Sequence, residues 1–308
     1  MTIKTDQLRY FVTVAEEGQI TRAAKKLYIA QPALSQAIAQ LESELGLQLL
    51  ERHAKGVRLT AAGEAFLEKA RAVVETERDV TLTAESLARA ARGVVEVGFI
   101  GPPPPMTAPA VFTALADAQP DAEVTFRELP FPRGTTRGWL QDVDVAFCQP
   151  PEADDQIEVH HVRVEPRTLI VSAAHPLARR ASVRVEQALE ETFVSYHPDV
   201  QPAWAGFHSL DDHRGGPPAA CTEDRISTSL EMLGRLGALS GAEAVTALPD
   251  ADARLVAHVL ANVVAVPLTD AEPATVSLVW RSSDAHPLVR ALVDSAAAAQ
   301  DGLAAPGA

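Results

Sequence analysis

Two groups of side chains in this sequence have types and spacing suited to recognition chemistry. The first lies in the stretch Ile29-Ala-Gln-Pro-Ala-Leu-Ser-Gln-Ala-Ile-Ala-Gln-Leu-Glu-Ser-Glu-Leu-Gly46. Leu34, Ile38, Leu41 and Leu45 recur at helical spacing, and Ser35, Gln36, Ala39, Gln40 and Ser43 share the opposite face. That face is polar but uncharged. Hydroxyls and amides can hydrogen-bond to base edges and phosphates in a major groove, although such a face can also simply meet water. The second group is Arg52, His53, Lys55 and Arg58, on two strand-like runs around a turn at Lys55-Gly56. It is the densest basic segment of the first 60 residues. It suits contact with backbone phosphates or the minor groove, or a solvated hairpin.

The elements that must hold these groups can be read from periodicity. Residues 5–17 form a helix with Leu8, Phe11, Val12 and Ala15 on its apolar stripe, ended by Gly18. A short second helix at 21–28 turns Ala23, Ala24 and Leu27 inward, and its small alanines let another helix approach closely. Pro32 stands in the first turn of a third helix, where its missing N–H costs nothing, and Gly46 ends that helix. This is a helix-turn-helix pattern followed by a basic wing. Residues 61–90 are helical, with Phe66, Val73, Val80 and Leu87 seven residues apart and Leu59 in phase. A seven-residue apolar repeat favours pairing with a second helix. Thr76, Glu77 and Thr83 weaken the seam, so a packed dimer helix is expected; an amphipathic helix lying on its own body is the alternative.

After Arg92-Gly93 the character changes to strands at 94–100, 123–128, 142–147 and 168–172, with a helix at 107–118. Alternating strands and helices predict an α/β domain with largely parallel sheets, whose ligands sit at the carboxyl ends of strands. GxGxxG and GxxxxGK[ST] motifs are absent, so nothing supports nucleotide binding. G-x-S-x-G and H-E-x-x-H are absent too. Ser195 and His197 are close in sequence, but no orienting acid accompanies them, and the chain is not expected to be an enzyme.

Composition bounds the rest. The chain has 308 residues, 47% hydrophobic and 22% charged, enough for one large domain or two to three smaller ones. The net charge of −14 argues against a uniformly basic nucleic-acid coat. Residues 1–60 nevertheless hold eight Lys/Arg against six Asp/Glu, or +2, while the remainder holds 19 against 35, or −16. A weakly basic head on an acidic body follows. No apolar run is long enough to span a membrane, and the N-terminus lacks the core of a signal peptide, so a cytoplasmic location is expected. Cys148 and Cys221 are far apart in sequence and no metal-ligand cluster occurs.

Residues 8–63 resemble the LysR-type transcriptional regulators. The match is carried by Leu8, Phe11, Val14, Glu16, Ala23-Ala24, Leu27, Gln31-Pro-Ala-Leu-Ser35, Ile38, Leu41-Glu42, Leu45-Gly46, Leu50, Arg52, Leu59-Thr60 and Gly63. Leu27-Tyr-Ile-Ala-Gln-Pro with Leu47-Gln-Leu-Leu-Glu-Arg is most similar to the subgroup that senses aromatic-catabolism intermediates, and His175-Pro-Leu-Ala178 resembles a segment of the family's effector domain. The resemblance implies a winged helix-turn-helix at 1–60, a linker and dimerisation helix at 61–92, and a periplasmic-binding-protein-like effector domain at 93–308. Subdomain I would comprise 93–168 and 273–300, and subdomain II 169–272. The resemblance further implies a dimer of dimers on double-stranded promoter DNA, modulated by a small-molecule effector, aromatic or carboxylate-bearing, with no cofactor. Carried over by position, Gln31, Pro32, Ser35 and Gln36 would enter the major groove, with Thr21 nearby, and Arg52 and His53 would act from the wing. Ile100, Gly101, Pro102, Phe131, Cys148, Gln149, Tyr196 and His197 would line the effector cleft.

Two departures from the family pattern stand out. Gln19-Ile20 replaces a Ser-Phe pair and removes a helix cap worth about 1 kcal/mol, for which Thr21 is the expected substitute. Related effector domains often place Ser or Thr after the first and second strands to bind a carboxylate. Here Pro102 and Pro130-Phe131 stand there, which disfavours a small dicarboxylate and leaves a more apolar cleft, or one serving no ligand. Arg127, Arg133 and Arg137 are the side chains that could attract an anion. A solute receptor without gated DNA binding, and a thiol-based redox sensor using Cys148, are the alternative functions.

Overall fold

A computed structural model describes residues 3–53, 56–134, 136–149, 156–283 and 286–304. The chain forms two compact units, Met1–Ala84 and Glu85–Ala308. The first contains α1 (Thr5–Glu17), α2 (Ile20–Lys26), α3 (Gln31–Leu45), the hairpin of β1 (Leu50–His53) and β2 (Gly56–Leu59), and most of α4 (Ala61–Ala90). Gly18 and Gly46 end α1 and α3 in the left-handed region that favours glycine. Phe11, Leu34, Leu41 and Leu49 are fully buried and join the three helices to the hairpin. Each such side chain contributes about 1.5–3 kcal/mol by leaving water. The Glu42 carboxylate accepts the N–H groups of Leu49 and Leu50 at 2.7 and 3.0 Å, which fixes where the chain leaves α3 and enters the wing. At Gly63 a Cβ would lie 2.1 Å from the Leu49 carbonyl oxygen, so only glycine lets α4 start this close to the wing.

Two expectations for this unit are corrected. Thr21 does not cap α2. Gln19 occupies the cap position with extended backbone and no side-chain cap bond, and Thr21 is one residue inside the helix. Phe66 does not extend an outward seam with Val73, Val80 and Leu87. Its ring packs on Phe11 at 5.5 Å against the unit's own core, because the first turns of α4 lie on α1 and the wing.

The second unit has two lobes. The sheet of lobe I has the order β4-β3-β5-β10-β6, from β3 (Val94–Phe99), β4 (Glu123–Glu128), β5 (Val145–Cys148), β6 (Ile157–Glu165) and β10 (Ala274–Arg281). α5 (Pro104–Thr107) and α6 (Pro109–Ala118) follow β3, and α7 (Thr136–Trp139) precedes β5. The sheet of lobe II has the order β8-β7-β9, from β7 (Arg167–Ser172), β8 (Thr246–Pro249) and β9 (Val263–Pro267). It carries α8 (Val185–Ala188), α9 (Pro202–His208), α10 (Ser229–Gly237) and α11 (Asp250–Val259). The chain then returns to lobe I through β10 and α12 (Pro287–Ala304). Only β3, β4 and β5 pair in parallel; β5–β10, β10–β6, β7–β8 and β7–β9 are all antiparallel. The expectation of largely parallel sheets therefore holds for one half of lobe I alone. Parallel neighbours need a crossover of a dozen or more residues, and β6 passes into β7 with only Pro166 between them. That crossing also moves the lobe boundary, since Arg167 and Thr168 already pair within the second sheet.

The last turn of α4 is fastened to lobe I. Arg89 donates two hydrogen bonds to the buried Asp144 carboxylate, at 2.9 and 2.6 Å, and Asp144 also accepts the Glu96 N–H at 2.9 Å. Burial alone would raise the Asp144 pKa, but these bonds outweigh it and hold the carboxyl below its ordinary value.

Candidate functional site

The chain offers one site in each unit. On α3 the buried Leu34, Ile38 and Leu41 fix the orientation of the helix. Gln31, Pro32, Gln36, Ala39, Gln40 and Ser43 are left exposed, with Ser35 half-buried. Gln31 Nε2 donates to Ser35 Oγ at 2.9 Å, and Gln36, the next residue, is exposed. Thr21 is exposed on α2. The basic side chains of α2 are partly occupied: Lys26 Nζ lies 3.0 Å from Glu17 Oε1 and Arg22 approaches the same carboxylate. Arg52 and His53 are exposed on β1, and Arg52 has no ion pair among the described residues. Lys55 lies outside the described residues.

In the second unit a cavity of about 230 Å³ opens between the lobes. Lobe I supplies the carboxyl ends of β3 and β5, as the rule for open α/β sheets requires. Seven of the eight expected cleft residues line it: Ile100, Gly101, Pro102, Phe131, Cys148, Gln149 and Tyr196. His197 does not. Tyr196 bridges Ile226 on an extended segment, so its neighbour points the other way. His197 Nδ1 instead accepts the Asp199 N–H at 3.2 Å. Of the three arginines considered as anion sites, Arg127 and Arg133 do not line the cavity either. Arg127 is paired with Glu96 at 2.5 Å, Arg133 donates to Ser227 Oγ at 2.6 Å, and the Arg137 side chain lies outside those described.

The sequence reading missed several lining residues. Trp204 and His208 stand one turn apart on α9, and so share a face. The Trp204 ring lies 4.4 Å from Phe131, 5.3 Å from Tyr196 and 4.1 Å from His208, so an aromatic cluster closes one end. His208 Nδ1 lies 2.8 Å from the Ala247 carbonyl, which can only accept, so this nitrogen carries the proton. Burial lowers the His208 pKa to about 4, and the ring is neutral. Burial likewise pushes the Tyr196 phenol up, and its hydroxyl sits 3.3 Å from Thr246 Oγ1.

Several polar groups at the other end bond to one another, while Gln149 Oε1 and Arg163 Nη1 are buried without a partner. Gly101 N–H donates to Ser229 Oγ at 2.8 Å, across the two lobes. Arg163 on β6 reaches Glu165 at 3.0 Å and Asp252 on α11 at 3.3 Å. Burial raises Asp252 to about 7, which Arg163 opposes and Glu165 reinforces. Cys148 is buried in the cavity wall, and burial pushes its thiol well above its ordinary value; Cys221 is raised for the same reason. Neither has the thiolate character of a redox-sensing cysteine. Among the described residues, no cluster of His, Cys, Asp and Glu could hold a metal ion, and no helix is long and apolar enough to cross a membrane.

Comparison with known proteins assigns both units. Residues 5–64 match the family model described as the bacterial regulatory helix-turn-helix protein, lysR family, and residues 88–301 match the LysR substrate binding domain. The HTH-type transcriptional regulator TdfR of Cupriavidus pinatubonensis is 30% identical over 295 residues, covering 94% of this chain and 96% of TdfR. TfdS of the same organism is 31% identical over 296 residues, with 94% and 96% covered. The crystal structure of full-length BenM aligns with a TM-score of 0.51 at 26% identity, over 99% of this chain and all of BenM. The exposed α3 face, the wing and the inter-lobe cavity thus belong to a member of the LysR family, a transcriptional regulator with an effector-binding domain.

Proposed function

We propose that this regulator reads promoter DNA with the outer face of α3. Gln31, Pro32, Ser35 and Gln36 enter the major groove with Thr21 beside them, and Arg52 and His53 meet the backbone or minor groove from the wing. The observation that carries this reading is the uncharged, exposed α3 face opposite the buried Leu34 and Leu41. Amides can read base edges by geometry while charge is left to the flanks. α4 joins two protomers along Val73, Val80 and Leu87, which are 46%, 66% and 49% exposed on one stripe and otherwise face water. Dimers pair again on an interrupted palindrome. The protein acts in the cytoplasm without a cofactor. An effector in the inter-lobe cavity, touching Ile100, Pro102, Phe131 and Tyr196, biases the lobe arrangement by its differential affinity for the two states.

The test is selection of genomic fragments by the purified protein at fixed salt, with and without candidate effectors, because affinities at different salt are not comparable. An enriched interrupted palindrome upstream of a divergently transcribed operon is the expected result. Binding no tighter than to bulk DNA under every condition would sink the reading.

A further inference from the structure

The charge of the effector can be argued from the cavity walls, an argument that rests on reading this cavity as the effector site. Arg163 is the only Lys or Arg among the described residues lining it. Its side chain is 19% exposed; its Nε and Nη2 donate to Glu165 and Asp252 at 3.0 and 3.3 Å, and its buried Nη1 has no hydrogen-bond partner. A guanidinium held between two carboxylates offers no net positive potential to an incoming anion. Asp252 titrates near neutrality, but this does not change the sign: with the proton the trio is neutral, and without it the trio is negative.

Backbone donors at the end of β3 are scarce too. The Gly101 N–H at the end of β3 is taken by Ser229 Oγ. The four residues that follow, Pro102 to Pro105, have no N–H. The remaining wall is mostly apolar, with the Phe131, Tyr196 and Trp204 rings at one end. A carboxylate entering here would shed its water for at most the Arg163 Nη1 donor, beside the two carboxylates of Glu165 and Asp252. A small aromatic loses little, and a dry apolar cavity of roughly 150 Å³ already holds a benzene ring.

We propose that the cavity takes an uncharged, largely apolar ligand of one or two rings and rejects the corresponding carboxylate, because the charge of Arg163 is already offset by two carboxylates and the Gly101 amide is already bonded. Calorimetric titration of the full-length protein with three one-ring probes tests this: benzamide, methyl benzoate and benzoate, at pH 8. The two uncharged probes should bind, with benzoate weaker by roughly tenfold or more. Met232→Trp, which fills the cavity, should abolish that binding. The double variant Glu165→Gln with Asp252→Asn unpairs Arg163 at nearly constant shape and should gain benzoate affinity while retaining benzamide. Benzoate binding as tightly as benzamide to the parent protein would overturn the proposal. So would a double variant that holds benzamide yet gains nothing for benzoate. Failure of all three probes to bind the parent is a different result: it would overturn the reading of the cavity as a ligand site.

Discussion

The outer face of α3 and the inter-lobe cavity treat their polar side chains in opposite ways. On α3, Gln36 and Ser43 stand exposed above a core that fixes the helix but does not engage them, and exposed Gln40 donates only to Glu44 one turn on, at 2.8 Å. In the cavity, Ser229, Arg163, Asp252, Tyr196 and His208 each have a partner within the protein, while Gln149 Oε1, Arg163 Nη1 and His208 Nε2 are left without one. The first arrangement suits a partner that is itself rich in donors and acceptors, which can replace water bond for bond. The second suits a partner that asks for few hydrogen bonds and gains chiefly by leaving water. One chain thus carries a surface specified by many polar groups and a cavity specified by an apolar wall with a few.

The largest effect expected from this difference lies in the cavity's buried titratable pair. His208 is neutral in the folded protein down to about pH 4. Between there and its unfolded pKa near 6.5 the unfolded chain binds the extra proton, so the contribution of His208 to stability rises with pH. Asp252 runs the other way. Its folded pKa is raised to about 7, so from its unfolded value near 4 upward the folded protein holds the extra proton and stability falls with pH. The two slopes oppose each other over nearly the same window. Asp252→Asn should therefore unmask His208: relative to the parent, stability of the second unit should climb by about 3 kcal/mol from pH 4 to 6.5. His208→Asn should give the reverse slope relative to the parent. Denaturant unfolding at a series of pH values checks both, and parallel profiles for parent and variants would show that these groups are solvated.

On the head the expected effects are smaller and separable. Gln36→Ala should cost about 1–3 kcal/mol on the preferred operator and relax preference at one base position. Arg52→Ala should weaken binding nearly uniformly across sequences and lower the salt slope by about 1. Competition binding against randomised operators, at several salt concentrations, resolves the two signatures. If Gln36→Ala acted uniformly and Arg52→Ala selectively, the roles of face and wing would have to be exchanged.

The same contrast explains what could be read from the sequence. The head is built from contacts three or four residues apart, so Leu34, Ile38 and Leu41 in the sequence already assign an inside and an outside to α3. Strand ends were nearly legible as well: runs read at 94–100 and 142–147 end within one residue of the observed Phe99 and Cys148, close to where Ile100 and Gln149 emerge. Arg163 with Asp252 was not legible, because the pair spans 89 residues and joins a strand of one lobe to a helix of the other. Trp204 and His208 carried a helical spacing, but nothing local said that α9 would close a cavity around Phe131. Phe66 and His197 failed for a subtler reason. A repeat gives the phase of a side chain and not its partner: the first turns of α4 face α1, and a one-residue step along the 196–197 segment changes sides.

The smallest prediction tests whether exposure on the head comes with backbone strain. Tyr28, between α2 and α3, is 94% exposed and has a φ of 55°, in the left-handed region that costs a side-chain-bearing residue about 1–2 kcal/mol. The turn needs that conformation: the N–H groups of Tyr28 and Ile29 return to the carbonyls of Lys25 and Ala24 at 3.2 and 3.0 Å. Glycine would adopt it freely and lose no buried surface, while its greater freedom when unfolded subtracts about 0.4–1 kcal/mol. Tyr28→Gly should therefore leave the first unit unchanged or stabilise it by up to about 1 kcal/mol, whereas Tyr28→Ala, which keeps the Cβ clash, should not stabilise it. Denaturant midpoints of the two variants decide the matter. A Tyr28→Gly variant less stable than its alanine counterpart would mean that the ring, despite its exposure, holds the turn, and that the head too has a polar-tipped side chain committed to its own fold.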